Sequence, residues 1–243
     1  MIIKALPQRI GSSVFFYKKK QRKEDERMKK KVLTITVTGL ILSTVFSGCG
    51  KGKDQIAQDV YTNINNAYEN IQDYANDIYD ACHLGIYKNE DLTVDEFTKE
   101  VAISEDEMVD AIKVYFAGNI GEDEIEKLMD GTDEDILPYV MLKTFVSLAK
   151  PNNMGIIIQN VYNARGTTKE IESDLEKAKA GLKSLNSDAE YYDSLKSYYT
   201  TMTSYYDFCE HLTGTFGTMK DTVNDYESDI RKYKNDLELA IDE

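Results

Sequence analysis

The chain has 243 residues, 43 of them acidic and 29 basic, for a formal net charge of −14. An acidic surface repels nucleic acid and other polyanions, whose binding rests on cationic side chains, so those partners are excluded. Trp is absent, Pro occurs three times and Tyr 17 times. From Cys49 onward no stretch alternates β-branched residues at period two, which argues against strands there and against solute receptors built on parallel sheets.

Residues 1–27 do not read as an export signal, because the basic run 18–23 is followed at once by acidic Glu24, Asp25 and Glu26. The peptide 22–26 can be encoded by purine-rich codons of the kind found in a ribosome-binding site. Residues 1–27 are therefore expected to be untranslated leader, with Met28 as the start.

Residues 28–49 read MKKKVLTITVTGLILSTVFSGC: three lysines, an apolar run of 15 residues over 32–46, then Ser47-Gly48-Cys49. A basic start, a short apolar centre and small residues at the end suit a translocon and a signal peptidase. The apolar run is shorter than the roughly 20 residues a helix needs to span a bilayer. This segment resembles the signal peptide of bacterial lipoproteins, with Ser47, Gly48 and Cys49 at the lipobox and Phe46 where Leu is common. The resemblance covers residues 28–49 alone. It implies removal of 28–48, lipid on Cys49, and a place on the outer face of the cytoplasmic membrane, in the cell envelope. Two acyl chains would hold there, at about 0.8 kcal/mol per buried methylene, where one is marginal. The linker 49–53 is short, and Lys51 and Lys53 would each add about 1 kcal/mol against anionic headgroups.

Cleavage leaves 195 residues, enough for one domain with a sizeable core. Residues 1–48 take 11 of the 29 basic and 3 of the 43 acidic residues, so the remainder carries 18 against 40, a net charge of −22.

The ectodomain, 54–243, is expected to be all-α: an antiparallel bundle or coiled coil of long helices with a small helical head inserted between them. The first helix, 54–87, carries Ala57, Val60, Ile64, Ala67, Ile71, Tyr74, Ile78 and Ala81 at spacings of three and four. A second column, Tyr61, Tyr68, Ala75 and Cys82, widens this stripe enough to touch more than one neighbouring helix. That breadth points to self-association into a four-helix arrangement.

The head, 93–165, shows capping boxes at Thr93/Glu96 and Ser104/Glu107. Residues 136–149 and 154–162 are apolar on nearly all sides, and are expected to be its buried centre. A third capping box, Thr167/Glu170, opens a helix over 167–186, and Ser187/Glu190 opens the next. From Tyr191 the sequence repeats in sevens (YYDSLKS, YYTTMTS, YYDFCEH, LTGTFGT, MKDTVND, YESDIRK, YKNDLEL), predicting one heptad helix over 188–241. Gly214 and Gly217 mark a bend in it. Helix 54–87 is expected to pair antiparallel with its C-terminal half near the membrane. Helix 168–186 and the head should then cap the far end.

The side chains with chemistry are sparse. Cys82-His83 and Cys209-Glu210-His211 suggest a zinc site, but residues one or two apart on a helix diverge and cannot close on one ion, so no metal is expected. Cys82 and Cys209 are instead a candidate disulfide, or simply two small core residues. Setting them opposite each other in antiparallel helices also places Asp54 opposite Leu237. The paired tyrosines at 191/192, 198/199 and 205/206 should use the first of each pair in the seam and the second against a further helix. Residues 130–135 are an acidic turn without EF-hand order, and the nearest loop-like run, 89–100, has Val94 where glycine is needed. There is no HExxH, GxSxG, phosphate loop, dinucleotide fingerprint or CxxC.

The expectation is therefore a non-catalytic lipoprotein module with no cofactor. It would meet the membrane through the Cys49 lipid and act by binding, scaffolding or sensing through a protein partner or self-association. A small-ligand or cation receptor and a carboxylate-based envelope hydrolase are the alternatives. The first needs a cavity, the second needs convergent carboxylates shielded from water.

Overall fold

The computed structural model describes residues 52–130, 132–148, 153–185, 187, 191–212 and 215–241. Cys49, the signal-like segment and the Ser187/Glu190 cap lie outside these residues or depend on ones that do. The described residues form nine α-helices and no strand: α1 Lys53–Tyr87, α2 Val94–Glu100, α3 Glu105–Asn119, α4 Glu122–Met129, α5 Leu137–Leu148, α6 Met154–Arg165, α7 Thr167–Ser184, α8 Tyr192–Glu210 and α9 Phe216–Ile241. The fold is all-α, as the periodicity predicts.

The stripe on α1 decides the architecture. Its eight apolar positions from Ala57 to Ala81 are all buried, and Tyr61, Tyr68, Ala75 and Cys82 extend the covered face. α6 and α7 run back along α1, and α8 returns beside it. α9 turns again, giving an up-down-up-down bundle with α2–α5 inserted after α1. The cross-contacts set each direction. Tyr162 of α6 meets Asp77, and Gly181 of α7 meets Val60. Tyr191, before α8, meets Asp54, while Glu210 at its end meets Tyr74. Phe216 of α9 stacks on Tyr79, and Glu227 reaches Tyr68. The stripe that suggested a second copy is thus covered by the chain's own helices.

The 188–241 segment is not one helix. It leaves helical geometry at His211 (φ −123°, ψ 67°) and restarts at Phe216, as a hairpin. Thr215 caps the second arm: its Oγ1 accepts from the Thr218 N–H at 3.4 Å, and Thr218 Oγ1 accepts from the Thr215 N–H at 2.9 Å. Gly217 lies inside the first turn of α9, and Gly214 lies outside the described residues. Heptads continue across the break because both arms turn the same kind of stripe toward α1, and that pattern does not register a reversal. α9 does run antiparallel to α1. Its register is shifted by several residues from the one that set Asp54 opposite Leu237, because Phe216 already lies on Tyr79 and His83.

Three local expectations also change. α7 does not cap the far end but lies along α1, where Gly181 permits close approach: a Cβ there would stand 2.4 Å from Val60 Cγ2. Its start is not a Thr167 capping box. Gly166, left-handed at φ 78°, both ends α6 and opens α7, while the hydroxyl of Thr168 donates to Asn163 Oδ1 at 2.7 Å. Finally, α6 is buried as expected, but α5 buries only Met141, Leu142 and Phe145. The capping boxes at Thr93/Glu96 and Ser104/Glu107 both form.

Candidate functional site

Cys82 and Cys209 are free thiols, each wholly buried. The antiparallel register that set them opposite each other does not apply, since Cys209 belongs to α8, which runs parallel to α1. Burial pushes the Cys82 thiol up to about 11, with a hydrogen bond to the Gly155 backbone opposing the shift. Burial raises Cys209 too, and Glu210 beside it adds to the effect. Thiols so shielded are poor nucleophiles.

The histidines face the other way. His83 is exposed in a stack with Tyr79 and Tyr87, and His211, also exposed, lies 3.1 Å from Asp207 Oδ1. Each Cys/His pair therefore splits between core and surface. Among the described residues no group of three or more His, Cys, Asp and Glu is placed to hold a metal ion.

The carboxylates nearest the core serve as acceptors for tyrosine. Tyr74 donates to Glu210 at 2.8 Å, Tyr162 to Asp77 at 2.7 Å and Tyr68 to Glu227 at 2.7 Å, while Tyr198 uses the amide oxygen of Asn65 at 2.7 Å. A buried tyrosine needs such a partner for its hydroxyl, and these pairs tie α6, α8 and α9 to α1. Burial, then the neighbouring carboxylate, raises the pKa of Tyr74 and Tyr68. Of the three tyrosine pairs, 198/199 and 205/206 follow the expected division, whereas Tyr191 and Tyr192 are both half-buried. Tyr198 and Tyr205 are buried; Tyr199 and Tyr206 are half-buried against the core.

The head is fixed to the bundle through α6. Arg165 grips Glu107 with two donors, Nε at 2.7 Å and Nη2 at 2.8 Å, and Asn160 donates to the Ala111 carbonyl at 2.9 Å. Glu107 is thereby held down at about 2, chiefly by the Arg165 hydrogen bonds. Here the described residues expose six large apolar side chains: Tyr87, Val114, Ile120, Ile136, Tyr139 and Leu148. All lie on the head or at its junction with α1, and none on α6–α9. The apolar character of 136–148 was legible in the sequence, but it reads equally as a core. Lys143 sits over the Tyr139 ring at 5.5 Å, and exposed Asp106, Asp110, Asp133 and Asp135 lie in the same part of the chain.

Comparison with protein-family models, curated proteins and solved structures finds no match to this chain.

Proposed function

We propose that the protein is a non-catalytic, lipid-anchored module of the cell envelope that presents its head to a protein partner. The observation that carries this reading is that, among the described residues, the exposed large apolar side chains all fall within residues 87–148. Isolated exposed apolar residues are ordinary, but their concentration on one part of a fold marks an interaction surface. Exposed acidic side chains in the same part of the chain favour a partner that carries basic groups beside an apolar surface.

The anchor supports the same geometry. A linker of four residues after Cys49 reaches at most about 14 Å. The 35 residues of α1 extend about 50 Å. Lipid on Cys49 would keep the start of α1 near the bilayer and hold the head about that distance away.

The experiment is photo-crosslinking in intact cells. A photoreactive residue at Tyr139 or Leu148 is expected to give a discrete protein adduct, and one at exposed Thr200 on α8 none. Equal adducts from all three positions, or none from the head, would overturn the reading. The anchor is tested separately: Cys49→Ala should move the protein from the membrane fraction to the soluble one and abolish incorporation of a labelled fatty acid.

A further inference from the structure

A groove of about 320 Å³ opens between α1 and α9, within the size range of small-molecule sites. Glu227 stands in it, held by neutral donors only: Tyr68 at 2.7 Å, Gln72 at 3.1 Å to both oxygens, and Tyr205 at 3.4 Å. Its carboxylate is therefore oriented by uncharged side chains. Arg231 and Lys234 follow at one and two turns along the same face of α9. Among the described residues neither has a carboxylate within ion-pair distance, although the chain is strongly acidic. Lys234 lies 5.3 Å from the centre of the Tyr68 ring, which forms the α1 wall. Along α9 the groove thus sets one negative group about 6 Å from Arg231 and about 10 Å from Lys234, one and two helical turns of rise.

We infer that this groove binds an amino-acid-sized zwitterion. Its ammonium meets Glu227, and its carboxylate meets Arg231 and Lys234. A plain anion of the same size would meet Glu227, and a plain cation would meet Arg231 and Lys234, so only a ligand carrying both charges is matched at both ends. The site lies on the bundle, apart from the head surface, so it stands or falls independently of the protein-partner reading.

The test is calorimetric titration of the full-length protein with 4-aminobutyrate, against butyrate and butylammonium as single-charge halves of that probe. Saturable heat with 4-aminobutyrate alone is expected. Arg231→Gln and Glu227→Gln should each weaken it at least about tenfold. Arg231 is exposed, so its replacement should leave the unfolding temperature unchanged and keep the test decisive even if Glu227→Gln loosens the Tyr68 and Tyr205 contacts. Absence of saturable heat up to about 10 mM, equal binding of either half-probe, or undiminished binding by Arg231→Gln would each overturn the assignment.

Discussion

Tyr162 donates its hydroxyl to Asp77 at 2.7 Å where α6 crosses α1, and Asp77 as a residue is only 8% exposed. The Tyr162 ring stacks on Tyr74 at 4.5 Å, so the side chain joins a core contact to a charge-assisted hydrogen bond. Tyr162→Phe keeps the stack and removes the bond. A hydrogen bond to a charged group contributes about 1.5–3 kcal/mol, and that loss should appear in urea unfolding near neutral pH. Tyr192→Phe, on the half-buried side of α8, should stay within about 0.5 kcal/mol of the parent. A Tyr162→Phe protein as stable as its parent would show that the bond does not hold α6 to α1.

The glycines of α7 and α3 should respond to alanine with opposite signs. A Cβ at Gly181 would meet Val60 Cγ2 at 2.4 Å, and Val60 is buried and β-branched, with little freedom to yield. Overpacking of that kind costs about 1–3 kcal/mol, more than the roughly 1 kcal/mol that alanine gains over glycine in a helix. Gly181→Ala should therefore lower the unfolding midpoint. At Gly118, near the end of α3, a Cβ meets nothing within 4 Å, and Gly118→Ala should raise it slightly. Equal shifts in the same direction would mean that α7 does not approach α1 this closely.

How much of this was legible in the sequence follows from what periodicity measures. Spacings of three and four on α1 and α7–α9 report which face is covered, and those faces are covered as expected. They do not report what covers them. The breadth of the α1 stripe suggested a second molecule, whereas the cover is α6–α9 of the same chain. A continuous heptad likewise hid the reversal between α8 and α9, where the decisive signal is a Thr215/Thr218 cap that differs from the usual Thr-to-Glu form. Side chains such as Ile136 and Leu148 were misassigned for the complementary reason. An apolar residue carries the same letter in a core and on a binding surface, and only packing distinguishes the two.

The two core cysteines give a direct chemical check on the bundle. Both are free and wholly buried, and burial disfavours the thiolate that reacts with disulfide reagents. The native protein should be inert to such a reagent, and should titrate Cys82 and Cys209 once unfolded without reductant. Rapid reaction of the native protein would contradict the burial. Failure to react after unfolding would instead indicate that the two are bonded.

The grip of Arg165 on Glu107 makes the head acid-sensitive in a defined window. Glu107 is lowered from 4.5 to about 2 in the folded chain, so its charged form is favoured by folding. For a carboxylate with a depressed folded pKa, the stabilising contribution is complete above the unfolded value and disappears as pH falls through the folded one. The contribution should therefore be constant above about pH 5 and fall away between about pH 4.5 and 2. Glu107 and Arg165 keep 35% and 36% of their side-chain surface exposed, so solvent screening limits the pair to about 1 kcal/mol. Glu107→Gln removes the charge while retaining an acceptor for the Ser104 N–H, which separates the ion pair from the cap. Parent and variant, unfolded in urea across this range, should differ by about 1 kcal/mol near neutral pH and converge toward pH 2. A gap that persists at the acid end would assign the effect to the cap, and no gap at neutral pH would show that Arg165 contributes no net stabilisation through Glu107.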